Sequence, residues 1–316
     1  MSAVVGSIWN MPNFHGELFS ASPSNTPLLG MLGGLGLGEN PVITANFEFP
    51  TSVEYDLASP GQNAVSEDAS LEAPNPTRIL REQVTNVVQI HHHAVRVSYK
   101  KQSNMGRMSG LNTAGVLPNV NDELAWQITQ HLKQVANDVE FSFLQGAYNL
   151  STNATHVDRT RGMVEACQLP GGTNEDASGA AVSTELINTF LLDMFDAGAM
   201  FEDVIFYVGG ANKQKLSEIY GYAPADRNLG GVNINTLETD FGRIGIVASR
   251  YAPANTILAI ELPVIAPVFQ AVPGNGILFY EELAKVGASE TGQIYGQIGF
   301  DHGPAFAHGR LYGLAT

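Results

Sequence analysis

Cysteine is nearly absent from this chain. Cys167 is the only one in 316 residues, which excludes an intrachain disulfide and fits a reducing compartment. Positive charge is also scarce, with 16 Lys and Arg against 31 Asp and Glu and a formal net charge of -15. That balance argues against a nucleic-acid binder, which needs basic side chains to displace counterions from phosphate. No run of about 18 apolar residues occurs, the length a membrane-crossing helix requires. The best candidate, "NTILAIELPVIAPVFQA", is interrupted by Glu261, Pro263 and Pro267. The opening "MSAVVGSIWNMPNF" lacks the basic region and continuous apolar core of a signal peptide.

The scarce basic residues are unevenly placed. None precedes Arg78, whereas Glu17, Glu39, Glu48, Glu54, Asp56, Glu67, Asp68 and Glu72 do. Arg78, Arg81, Arg96, Lys100, Lys101 and Arg107 then follow within one short span. Such an acidic segment beside a basic one is either simply solvated or matched in charge between neighbouring copies of the chain. Hydrophobic content of 44% places the chain among ordered globular proteins, and 33 Gly with 16 Pro predict many turns. Charged residues make up only 15%, and a surface with few charges is often one that will be covered.

Residues 1 to about 42 read as an arm. "FSASPSNTPLLGMLGGLGLGENP" shows neither a helical nor a strand period and offers little to bury on itself, so other subunits are expected to hold it. From Val42 to Tyr99 the sequence predicts a long two-stranded excursion. "VITANFEFPTSVEYDL" and "ILREQVTNVVQIHHHAVRVSY" are rich in β-branched and aromatic residues, and the polar stretch between them forms a tip carrying Glu67, Asp68 and Glu72. A hairpin of this kind has no core of its own and needs a partner surface.

The spacing of Leu124, Ile128, Leu132, Val135, Val139 and Phe143 predicts one long amphipathic helix, capped at Asn121 and ended by Gly146. Asp122 and Glu123 suit its first turn, where the helix dipole favours acids. A compact region of mixed texture follows. It holds a helix over Thr184–Ala197, buried strands in "DVIFYVGG", "RIGIVASRY" and "TILAIEL", and a short helix in "ANKQKLSEIYG". The last sixty residues, in short runs broken by Gly, are expected to return as sheet against the long helix.

Three adjacent histidines, His91, His92 and His93, are the strongest hint of chemistry. In a strand His91 and His93 share one face and could chelate a metal, which leaves a metal-dependent hydrolase as one reading. Zinc wants at least three protein ligands, however, and His15, His131, His156, His302 and His308 are scattered. The other reading is a strand at a subunit contact. "GGLGLGEN" follows no strand and contains no phosphate-binding fingerprint, and no nucleophile motif surrounds Cys167. Glu67–Asp68 and Glu281–Glu282 sit in polar contexts that do not tune a catalytic acid.

Taken in order, the parts are arm, hairpin, long helix, compact αβ region and returning strands. "PTRILREQVTNVVQIHHHAVRV", "DELAWQITQHLKQVANDVEFSFLQGAYN" with "RTRGMVEA", and "AKVGASETGQIYGQIGFDHGPAFAHGRLYGL" carry the pattern most specifically. The whole resembles the major capsid protein family of tailed bacteriophages. The resemblance implies an α+β fold with an N-terminal arm over 1–42, an E-loop over 43–100 and a P-domain over 101–181 that includes a spine helix at 120–148. An A-domain over 182–268 and P-domain return strands over 269–316 complete it. It further implies a structural protein that self-assembles as hexamers and pentamers into an icosahedral shell enclosing double-stranded DNA. Such a protein is found in the virion, assembled in the host cytoplasm, with scaffolding, decoration and portal proteins as further partners and with no membrane, cofactor, metal or catalytic residue. An encapsulin-like compartment is the alternative on the same fold.

No lysine lies between residues 43 and 99, so the Lys–Asn cross-link of some family members is not expected at the hairpin. An arm beginning at Met1 likewise suggests no fused scaffold. On charge, the tip carboxylates Glu67, Asp68 and Glu72 are expected to meet Arg96, Lys100, Lys101 or Arg107 of a neighbouring copy.

Overall fold

The computed structural model describes residues 26–35, 42–55, 61–62, 65–73, 78–103, 122–220 and 235–315. In chain order they form α1 (Pro27–Met31), β1 (Val42–Thr44), β2 (Glu48–Tyr55), α2 (Glu67–Ser70), β3 (Arg81–Val87), β4 (Gln89–Ser98) and α3 (Tyr99–Gln102). The long helix α4 (Glu123–Gln145) and α5 (Met163–Ala166) follow, then β5 (Thr173–Asp176), α6 (Thr184–Ala197), β6 (Val204–Val208) and α7 (Gly210–Tyr220). The remainder is strand, with two short 3-10 turns at Leu262–Val264 and Ala305–Ala307: β7 (Thr236–Thr239), β8 (Gly242–Ala248), β9 (Ile257–Glu261), β10 (Ala266–Gln270), β11 (Leu278–Glu282), β12 (Ser289–Asp301) and β13 (Gly309–Tyr312).

At 23 residues α4 is about 35 Å long. Its cap is Asp122, one residue later than the Asn121 expected, and Asn121 itself lies outside the described residues. The Asp122 carboxylate accepts from the Leu124 and Ala125 N–H groups at 2.9 and 3.2 Å, which satisfies two orphan donors of the first turn. Along the predicted stripe Val135, Val139 and Phe143 are fully buried, while Leu132 is 37% exposed.

Two sheets flank the core. In the first, the 13-residue β12 is the centre. β4 runs antiparallel along one edge, from Ser289↔Ser98 to Ile298↔Gln89, while β11 and β10 share the other edge and β1 lies parallel to β10. Helix α4 covers one face, with Val95, Val97, Ile294, Ile298 and Phe300 packed against it and the Phe143 and Phe300 rings stacked at 4.6 Å. The second sheet has the order β5-β13-β9-β6-β8-β7. β6 is buried at all five positions because both its faces are covered. Ile205 and Tyr207 join the α4 core, and Val204, Phe206 and Val208 join a second core beneath α6.

Two readings of the sequence are corrected here. "ILREQVTNVVQIHHHAVRVSY" is two strands and not one, broken at Val88, whose N–H bonds Phe47 O. Only β2 and β3 form the hairpin, and the histidine run belongs to β4 in the first sheet. Likewise the C-terminal strands do not all return to the long helix. β12 does, but β13 crosses to the second sheet and pairs between β9 and β5.

Candidate assembly surfaces

The hairpin β2–β3 stands on a polar root. Asn86 is fully buried and uses its whole carboxamide. Its Nδ2 donates to Arg161 O and Phe300 O at 3.1 and 2.7 Å, and its Oδ1 accepts from the Val87 and Arg161 N–H groups at 2.9 and 2.7 Å. The Arg161 guanidinium reaches Thr85 O at 3.0 Å and lies over the Tyr148 ring. Phe49 packs against Gly299, where a Cβ would come within 2.8 Å of the Phe49 ring. The β2–β3 register then shifts at Thr51, a bulge in the ribbon.

Beyond the bulge the described part of the hairpin has no third strand. Val53, Tyr55, Val65, Ile79, Leu80 and Leu71 are all exposed, Leu71 by 82%. At the tip Ser66 caps the one-turn helix α2 through the Ala69 N–H at 3.2 Å, and Glu67, Asp68 and Glu72 project into solvent. On the opposite charge set, Arg96 Nε donates to Ser289 Oγ at 3.0 Å, while Lys100 and Lys101 stand exposed on α3. Arg107 lies outside the described residues. Among the described residues no ion pair within the chain joins the two sets.

His93 and His92 tie β4 to its neighbours on opposite faces. His93 Nε2 lies 2.9 Å from Asp138 Oδ2 on α4, and its ring is 5.9 Å from His131. His91 points the same way and is buried, and its Nε2 has no hydrogen-bond partner. Burial pushes its pKa down to about 4, against an upward pull from Asp138. His92 faces outward, 3.1 Å from Gln293 Oε1 and edge-on to Tyr295. Among the described residues no group of three or more His, Cys, Asp or Glu side chains is arranged to hold a metal ion.

Several structural residues escaped the sequence reading. His308 is fully buried. Its Nε2 donates to His302 O at 2.7 Å, which leaves Nδ1 to accept the Glu261 N–H at 3.2 Å and assigns the neutral ring. His302 Nε2 sits 3.4 Å from Thr51 Oγ1 at the hairpin bulge. Burial holds both rings near a pKa of about 4. Glu140 is buried on α4 and takes the Leu28 and Leu29 N–H groups of α1 at 3.0 and 2.7 Å. Thr26–Leu35, this part of the arm, is therefore bonded to its own chain. A polar residue inside an apolar strand ("QVTNVV") was the available signal for Asn86; Glu140, beside Val139 on the helix, offered a weaker one.

The family profile described as SU10 major capsid protein matches residues 2–315. The chain belongs to that family. Solved capsids share the fold at low identity. The cyanophage A-1(L) capsid subunit aligns with a TM-score of 0.68 and 11% identity, covering 96% of this chain and 97% of that one. The capsid of a native GTA particle gives 0.60 and 12%, covering 98% and 97%. The SrpI encapsulin of Synechococcus elongatus gives 0.53 and 11%, covering 93% and 92%. No curated protein sequence matches significantly. As an SU10-type major capsid protein the chain has a structural role, in a shell of many copies and in the virion. Its functional surfaces are accordingly those it offers to other copies.

Proposed function

We propose that this major capsid protein closes an icosahedral head around double-stranded DNA in the host cytoplasm, as hexamers and pentamers, with its hairpin seated on an adjacent copy. The supporting observation is the two-stranded ribbon β2–β3, which leaves Val53 and Tyr55 exposed on β2, with Leu71 beside α2 and Ile79 and Leu80 just before β3 exposed as well. At about 25 cal/mol per Å², roughly 1,000 Å² of apolar contact per neighbour supplies about 25 kcal/mol of gross driving force, from which the cost of association is subtracted. Repetition on closed symmetry turns modest contacts into a stable shell.

On this reading residues 1–42 serve as arm and 43–100 as E-loop. The P-domain comprises 101–181 and 269–316, and the A-domain comprises 182–268. The tip carboxylates Glu67, Asp68 and Glu72 pair with Lys100, Lys101, Arg96 or Arg107 of the neighbour. The contact is non-covalent, and portal, scaffolding and decoration proteins are further partners. Electron microscopy of the expressed protein tests the proposal. Closed particles are expected, whereas rings, fibres or a stable monomer would overturn it. The likeness to the SrpI encapsulin supports the second reading, a compartment for protein cargo. Co-purified DNA or co-purified enzyme distinguishes the two.

A further inference from the structure

The first turn of α1 is capped from far away in sequence. Thr26 occupies the N-cap position without a side-chain capping bond, and Pro27 has no N–H to offer. The next two donors, Leu28 N and Leu29 N, both go to the Glu140 carboxylate, one to each oxygen. Leu28 and Leu29 are 0% and 2% exposed and enter the α4 core, and Tyr207 Oη donates to Met31 Sδ at 3.2 Å. Burial drives the Glu140 pKa upward while the two N–H bonds pull it down. A carboxylate buried on an otherwise apolar helix side is costly unless its oxygens are bonded. Here α1 supplies those bonds, so the helix and its bound segment are complementary only when docked.

We propose that Glu140 is a positioning residue for shell assembly, whose carboxylate holds Thr26–Leu35 on α4 and so fixes this part of the arm for contact with other copies. This rests on the capsid-shell reading above. Glu140→Gln keeps the shape but offers one acceptor oxygen and turns a donor against the second N–H.

In hydrogen exchange on the full-length variant, the Leu28 and Leu29 amides are expected to exchange about tenfold faster or more. Amides of β12 and of α4 should stay protected. Particle yield, read by microscopy, is expected to fall, with misshapen or open shells. Unchanged exchange overturns the clamp, and faster exchange with normal particles overturns its role in assembly. The double variant Leu28→Ala, Leu29→Ala loosens the same segment while leaving every α4 residue and the Glu140 carboxylate unchanged, so it decides the matter if the Gln variant fails to fold. Normal assembly of that variant also overturns the proposal. Absence of particles from the unsubstituted protein counts against the shell reading alone, because the exchange experiment is independent of it.

Discussion

Asn86 grips the backbone of Arg161 from both sides, accepting its N–H at 2.7 Å and donating to its carbonyl at 3.1 Å. The loop after α4 is thereby locked to the base of the hairpin, 75 residues away in sequence. Asn86→Ala strands four buried backbone groups. Each unsatisfied group costs about 1–3 kcal/mol, so a loss of about 3 kcal/mol or more is expected in denaturant unfolding. Amides of β3 should lose protection before those of β12. A variant as stable as the parent would remove Asn86 from its role at the root.

A second test concerns the place where the chain leaves α4. Gly146 and Gly162 cross so closely that a Cβ on Gly162 would lie 2.5 Å from Gly146 N and 2.6 Å from Ser142 O. These are backbone atoms that cannot swing away. Gly162→Ala is expected to cost at least the 1–3 kcal/mol typical of overpacking. At Gly30 in α1, by contrast, a Cβ meets nothing within 4 Å. Gly30→Ala should be neutral or slightly stabilising. Equal melting temperatures for the two variants would contradict the close crossing.

The buried histidines give the fold an acid limit. His91, His302 and His308 are held by burial at about 4, below the ordinary 6.5. The folded state thus binds fewer protons than the unfolded one. Its stability is full above about pH 6.5 and declines as pH falls toward 4, by up to roughly 3 kcal/mol per ring. His91→Phe keeps a ring that cannot take a proton, beside Asp138 and His93. Its acid unfolding midpoint should lie at lower pH than the parent's, and an unchanged midpoint would exclude His91 as a contributor.

Cys167 is fully buried, and burial raises its thiol pKa to about 12. With so little thiolate it should resist an aromatic disulfide reagent in the native protein and react within seconds once unfolded. Rapid labelling of native protein would show that the core around Met163 and Leu144 opens readily.

For the proposed hairpin contact, Lys100→Glu with Lys101→Glu should reduce particle yield and remove much of its salt sensitivity. Compensating charge reversal at Glu67 and Asp68 should restore yield in the same assay. Charge-reversed chains that assemble like the parent would place those lysines elsewhere.

What was legible in the sequence was periodic. The stripe from Leu124 to Phe143 located α4 to within a few residues, and Thr184–Ala197 matches α6. β6 and β9 fall within two of the apolar runs picked out as buried strands, and β8 overlaps the third, starting one residue earlier at Gly242. The tip carboxylates stood out by charge, and they are exposed. The histidine triplet drew attention by its rarity, yet its roles depend on Asp138 and Gln293, 45 and 201 residues away from their partners. Nothing near His93 in the chain announces Asp138.

By itself the sequence determined the long helices α4 and α6 and the buried strands β6, β8 and β9, because backbone geometry imposes repeats of 3.6 and 2.0 on side chains only a few positions apart. It also determined that the hairpin would lack a core, since two strands have only each other to pair with. Only the tertiary structure decided that β13 leaves the first sheet for the second, that Asn86 would bind four backbone groups, and that Glu140 would cap a helix 111 residues upstream. Those outcomes come from hydrogen-bond donors and acceptors that must be satisfied once they are buried. Their partners are chosen by proximity in space, which leaves no period in the chain to read.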